Sequence, residues 1–130
     1  MSRQPIVLVV DDQGFHRNYV RDSLECLPVT IVEAEDGQSA IQAASDHKPE
    51  LILMDRVMPG MDGATAARNL RKIPDLRATS IVAMSANISV DLLKDGTFNG
   101  HVPKPIDAAG LRILVCNKLG LAPALAQVAV

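Results

Sequence analysis

An α/β domain built on a doubly wound parallel sheet is the fold class this sequence predicts, and three observations predict it. Apolar runs alternate with amphipathic stretches five times along the 130 residues, the pattern of consecutive β-α units. Two runs, Ile6-Val7-Leu8-Val9-Val10 and Leu51-Ile52-Leu53-Met54, are unbroken, as strands buried on both faces must be. Both close on carboxylates, Asp11-Asp12 and Asp55, which rarely serve packing at the end of a buried strand.

Each element has its own reason. The first strand is predicted at 5–10, and the stretch after it carries Phe15, Tyr19, Val20, Leu24 and Leu27 at helical spacing, read as one inward face. The second strand, 29–33, is mixed in polarity (Val29-Thr30-Ile31-Val32-Glu33). The third is 51–54. Its helix begins at Asp62, whose side chain can accept from the unpaired N–H groups of a first turn, and sends Ala64, Ala67, Leu70 and Ile73 inward. The fourth strand, 80–84, is apolar. The segment from Asn87 to Gly100 contains Asp95-Gly96 and Asn99-Gly100, both turn signals. The fifth strand, 101–103, holds Pro103, which cannot donate to a ladder and belongs on an edge. Asp107 then caps a last helix with Leu111, Leu114 and Val115 inward. Strands two and five are therefore the edges, and the order 2-1-3-4-5 satisfies this. Its switch point lies between strands one and three, at whose carboxyl ends such sheets bind ligands.

Asp11, Asp12 and Asp55 stand at that point. Two ionised carboxylates about 4 Å apart repel by roughly 4 kcal/mol at an effective dielectric near 20, so the cluster calls for a divalent cation. Composition excludes other classes. A formal charge of -2 with Arg17, Arg21, Lys48, Arg68, Arg71, Lys72 and Arg77 scattered along the chain argues against a nucleic-acid surface, and solvation of helix faces is the expected role of these cations. Cys26 and Cys116 are far apart and are read as small buried thiols in a reducing compartment, neither a zinc site nor a disulfide. The first apolar run is too short for a signal peptide, so a cytoplasmic location is expected. One domain is expected over residues 1–120. Residues 121–130 form an apolar tail, interrupted by Pro123, that is flexible or docked.

Four motifs, each after its own strand, carry a family resemblance: Val10-Asp11-Asp12; Leu53-Met54-Asp55 followed by Met58-Pro59-Gly60-Met61-Asp62-Gly63; Met84-Ser85-Ala86; and Pro103-Lys104-Pro105. Over roughly residues 5 to 119 the chain resembles the receiver domains of response regulators in two-component signalling, a single-domain type with the flavodoxin-like (βα)5 fold. The resemblance implies that Asp55 accepts a phosphoryl group from a sensor histidine kinase or a histidine phosphotransfer protein. It implies a Mg2+ ion held by Asp12, Asp55 and the backbone carbonyl of Val57, with Asp11 holding a metal-bound water. Lys104 would pair with a phosphoryl oxygen, with Lys104-Pro105 a candidate cis bond. Ser85 would bond the phosphoryl group after transfer, and Ala86 would leave room for it. Downstream protein binding would carry the signal, with neither nucleic acid nor membrane as partner and no enzymatic activity beyond its own phosphoryl transfer and slow dephosphorylation.

Two departures from the family pattern stand out. The switch position, usually aromatic, is His101, and the 87–100 segment is about one helical turn short, so the fourth helix is expected to be stunted, resting on Ile88, Val90, Leu92 and Leu93. Gly60 and Gly63 are expected to supply φ > 0 in the loop, and Met54, Met58 and Met61 to fill core and loop. His16 and His47 carry no assigned role, and Gln13 borders the site. Three aromatics, Phe15, Tyr19 and Phe98, argue against a flavin carrier. The alternative readings are a phosphorylation-independent receiver-like binding module, or the receiver portion of a hybrid kinase.

Overall fold

The computed structural model describes residues 3–58, 60–86 and 90–127, the side chains of Val90 and Leu92 excepted. Its elements run β1 (Ile6–Val10), α1 (Gly14–Leu24), β2 (Thr30–Ala34), α2 (Gly37–His47), β3 (Leu51–Asp55), α3 (Gly63–Arg71), β4 (Ser80–Ser85), α4 (Val90–Lys94), β5 (Gly100–Pro103) and α5 (Ala108–Leu119), with 3₁₀ turns at Pro74–Leu76 and Pro123–Gln127. The five strands form one sheet in the order β2-β1-β3-β4-β5, and every pair is parallel. Order, edges and strand positions agree with the sequence reading. No helix among the described residues is long and apolar enough to cross a membrane.

Alternation along the buried strands builds two cores. Leu8, Val10, Ile52, Met54, Ile81 and Ala83 face one layer, with Ala40 and Ala44 of α2 and Ala67 and Leu70 of α3. Val7, Val9, Leu51, Leu53, Val82 and Met84 face the other, with Val20 and Leu24 of α1 and Leu111 and Val115 of α5. Buried aliphatic side chains of this size each stabilise the fold by about 1.5–3 kcal/mol before the entropy of ordering them is counted. Asp62 accepts from Thr65 N–H at 2.8 Å and Asp107 from Gly110 N–H at 3.1 Å, so both expected caps form.

Several expectations change. Phe15 is 67% exposed and Tyr19 45% exposed, because they form a second stripe of α1 turned away from Val20 and Leu24, which face the core together with Leu27 beyond the helix end. Cys26 is exposed; only Cys116 is buried. Gly60 has φ +80 as expected, but Gly63 is needed for closeness: a Cβ there would lie 2.3 Å from Asp55 O and 2.8 Å from Arg56 Cα. The stunted α4 is present, five residues long, yet Leu93 is exposed rather than inward. Ile88, the side chains of Val90 and Leu92, and the motif residue Pro59 lie outside the described residues. Buried Phe98, from the loop before β5, packs in the α2–α3 layer.

Nor are all the cations idle solvators. Arg71 donates to Thr79 O at 2.6 Å and to Asn99 Oδ1, while Ile81 N–H donates to the same Asn99 oxygen at 2.8 Å. This ties α3 to the start of β4 and to the approach to β5. Arg17 and Arg21 both donate to Glu33, at 3.0 and 2.7 Å, and hold that carboxyl below its ordinary range against the opposing effect of its burial. After α5, Leu121 N–H donates to Cys116 O at 2.9 Å and Arg112 Nε to Ala126 O at 3.3 Å. These bonds seat residues 121–127 against α5.

Candidate functional site

Register places the site. Val10 pairs with Met54, Asp55 with Met84, and Ser85 with Pro103, so β1, β3, β4 and β5 end at one level. The next side chains open into one cleft of about 590 Å³ lined by Asp12, Gln13, His16, Asp55, Val57, Met58, Ser85, Ala86 and Lys104. Asp11 lies beneath it, 1% exposed, and Asp55 is 4% exposed, whereas Asp12 faces solvent. Carboxylate oxygens of Asp11, Asp12 and Asp55 lie within 4.8 Å of one another.

Charge and hydrogen bonds divide the three acids. Lys104 Nζ lies 3.1 Å from Asp55 Oδ1 and 3.7 Å from Asp11 Oδ2, and the Lys104-Pro105 bond is cis. Asp11 Oδ1 accepts from Gln13 N–H at 3.0 Å, and Asp55 Oδ1 from Val57 N–H at 3.4 Å. Burial pushes the Asp11 carboxyl above its ordinary pKa; the Gln13 bond opposes this, the Asp55 charge reinforces it, and the Lys104 and His16 charges oppose it. Asp11 Oδ2 has no hydrogen-bond partner among the described residues, although His16 Nδ1 stands 3.3 Å away. That contact is electrostatic, without hydrogen-bond geometry.

A buried carboxylate oxygen with no donor, facing two more carboxylates, is a poor protein interior and a good cation seat. The donor set is all hard oxygen, which suits Mg2+ better than a soft transition metal. Asp11, Asp12 and Asp55 together offer such an ion three carboxylate oxygens.

On the far wall, Ser85 O accepts from Lys104 N–H at 3.2 Å and lies 2.8 Å from His101 Nε2. A carbonyl only accepts, so the His101 proton on Nε2 is the donor. The half-buried ring also lies 3.5 Å from Ser85 Oγ. Every residue that the sequence singled out for the site is therefore gathered around this cleft: Ala86 lines it, while His101 backs it through Ser85.

Residues 7–115 match the response regulator receiver domain family. The chain belongs to this family. It is a receiver domain of two-component signalling, 33% identical over 106 residues to the chemotaxis protein CheY of Bacillus subtilis, covering 78% of this chain and 87% of that one. It is 35% identical over 123 residues to a protein-glutamate methylesterase/protein-glutamine glutaminase of Pseudomonas syringae, covering 87% of this chain but 32% of the relative. The chain thus spans about a third of the length of the methylesterase relatives it matches. Among solved structures, the receiver domain of a sensor histidine kinase from Pseudomonas aeruginosa superposes with a TM-score of 0.78 at 25% identity, over 90% of this chain and 98% of that one, and carries a magnesium ion coordinated in its active site cleft.

Sequence reasoning missed two neighbours of the receiver's acid cluster. His16 falls one turn into α1, where helical spacing alone does not say which side chain leans back over Asp11. Arg17 Nη1 donates to Asp11 O at 2.7 Å, fixing the backbone that presents both acids. Its signal was Glu33 on the neighbouring strand, an opposite charge whose partner only the β1–β2 pairing reveals.

Proposed function

We propose that this receiver domain takes a phosphoryl group onto Asp55 from a phosphohistidine of a sensor histidine kinase or histidine phosphotransfer protein, in a Mg2+-dependent reaction, and signals through protein–protein binding. The observation that carries the proposal is the 3.1 Å contact of Lys104 Nζ with Asp55 Oδ1 beside two further carboxylates. An ionised Asp55 oxygen attacks phosphorus as the bond to the donor nitrogen breaks, and the leaving electron pair stays on the imidazole. Lys104 neutralises charge on the phosphoryl oxygens, the Ser85 hydroxyl bonds one of them, and the small Ala86 leaves space. Asp12, Asp55 and the Val57 carbonyl, with Asp11 acting through water, would hold Mg2+, which would supply the remaining positive charge. The magnesium in the Pseudomonas aeruginosa receiver supports this assignment.

The partner reading rests on the rim of the cleft. Phe15, Tyr19, Pro105 and Ile106 form an apolar hollow that reaches His16 and Lys104, and Tyr19 Oη donates to Ile106 O at 2.9 Å. Exposed aromatics beside a charged centre are the composition of a protein-docking patch. The chain acts as a phosphoacceptor. The test is intact mass after incubation with acetyl phosphate and Mg2+: one phosphoryl group is expected, and none on Asp55→Asn. Undiminished labelling of that variant would refute the assignment.

A further inference from the structure

The corner that presents Asp11 and Asp12 is held from outside the cleft. Asp11 N–H makes the last bond of the β1–β2 ladder, donating to Ala34 O at 3.1 Å. In a parallel pair the next bond would run from Asp36 N–H, two residues on, to Asp11 O. That donor is engaged elsewhere: Asp36 N–H donates to Ser39 Oγ at 3.2 Å in the capping box of α2. The Asp11 carbonyl is taken instead by Arg17, whose Nη1 donates to it at 2.7 Å. Arg17 Nε donates at 3.0 Å to Glu33 Oε1, and Arg21 holds the other Glu33 oxygen from Nη2 at 2.7 Å and from Nε at 2.9 Å. A relay Arg21–Glu33–Arg17 therefore joins the edge strand β2, through α1, to the peptide that links the two acids.

Two further bonds close the corner into a ring. Gln13 N–H donates to Asp11 Oδ1 at 3.0 Å, and Gln13 O accepts from Arg17 N–H at 3.2 Å. Asp12 sits within that ring with its carboxylate exposed, and the direction of the carboxylate follows from the peptide that Arg17 holds. From this relay we propose that Arg17, braced by Glu33 and Arg21, is a positioning residue that makes the acid cluster select Mg2+ over Ca2+, a role that rests on the Mg2+-dependent phosphoacceptor reading of the same site. Mg2+ takes oxygens at about 2.0–2.1 Å in near-ideal octahedral geometry, whereas Ca2+ takes more oxygens at about 2.3–2.6 Å in a pliable shell. A fixed corner suits the first ion, and a loosened one costs it more than the second. Charge acts the other way. The Arg17 guanidinium repels any divalent cation at the cluster, and it repels ions of equal charge alike. The ratio of the two affinities therefore reports position and cancels the effect of charge.

The experiment titrates the full chain, metal-free and at constant ionic strength, with magnesium or calcium chloride and follows the backbone amides of Asp11, Asp12 and Gln13 by proton–nitrogen NMR. Arg17→Met should weaken Mg2+ binding by roughly tenfold, the effect typical of removing a group that supports a metal ligand, and Ca2+ binding by less than about twofold. Glu33→Gln leaves the Arg17 charge in place and should lower the Mg2+ preference by a smaller factor. The double variant should match Arg17→Met alone, because both substitutions act through one relay. Amide hydrogen exchange at Asp12 and Gln13 in EDTA should quicken in both single variants, a readout that needs no metal. If Arg17→Met does not fold, Glu33→Gln combined with Arg21→Met carries the test. Absence of Mg2+ shifts in the wild type would remove the metal from the phosphoacceptor reading and this inference with it. Mg2+ binding by the wild type with an unchanged Mg2+-to-Ca2+ preference in the variants, as loss of charge alone requires, overturns this inference only.

Discussion

Replacing Asp11 by Asn should make the metal-free protein more stable while weakening its response to Mg2+. At the 4.8 Å outer limit of the acid cluster, the Asp11–Asp55 repulsion is about 3.5 kcal/mol at an effective dielectric of 20. The Lys104 attraction at 3.7 Å is about 4.5 kcal/mol on the same scale. Solvent-exposed Asp12 adds about 1 kcal/mol of repulsion, screened as in water. These three charge effects nearly cancel. The desolvation of a carboxylate that is 1% exposed and accepts a single hydrogen bond remains, and it costs several kcal/mol. Asparagine keeps an oxygen for Gln13 N–H and removes the buried charge. A net gain of about 1–3 kcal/mol follows once weaker hydrogen bonding is allowed for, or roughly 3–10 °C in Tm for a domain of this size.

The pH dependence follows from the raised Asp11 pKa. A carboxyl whose folded pKa lies above its unfolded value binds its proton more tightly when folded, so wild-type stability falls as pH rises from the unfolded pKa through the folded one. The advantage of Asp11→Asn should therefore be full above the folded pKa and vanish below the unfolded value, near 3.8. Thermal unfolding in EDTA across pH 3–8, repeated with Mg2+, is the assay. At tenfold its dissociation constant Mg2+ should stabilise the wild type by about 1.4 kcal/mol and the variant by much less. A variant less stable than wild type in EDTA at pH 7, or one gaining equally from Mg2+, would refute the reasoning.

Lys104→Met leaves the buried Asp55 and Asp11 charges without their cation, and should cost about 2 kcal/mol in urea unfolding and slow labelling by acetyl phosphate at least tenfold. Phe15→Ala should leave both acetyl phosphate labelling and Tm unchanged, since the ring is 67% exposed, while slowing transfer from a histidine phosphodonor protein in a radiolabel assay. Gly63→Ala forces a methyl group into Asp55 O and Arg56 Cα; a loss above about 2 kcal/mol in chemical denaturation is expected, since rigid backbone cannot yield as a side chain would. His101→Phe removes the donor to Ser85 O, and hydrogen exchange should show about 1 kcal/mol less protection across β4 and β5.

Fold and site were legible in this sequence to the extent that they depend on residues close together in it. Strand identity follows from local apolar runs, edges from Pro103 and the mixed second run, and caps from Asp62 and Asp107, because each of these is decided by the backbone's own hydrogen bonds and by burial of one short segment. The three acids could be brought together on paper because parallel strands in a known order end at one level. The rest needed three dimensions. Whether Phe15 and Tyr19 face the core depends on how α1 is rolled against the sheet, and a helix with two apolar stripes is compatible with either roll. Gly63 was read as a turn glycine, yet its space is taken by the Asp55 carbonyl, a contact between segments that no propensity records. His16 meets Asp11 and Arg17 meets Glu33 through distances that chain spacing does not encode. Local sequence determines what each element is; only the packing of one element on another decides which side chains share a site.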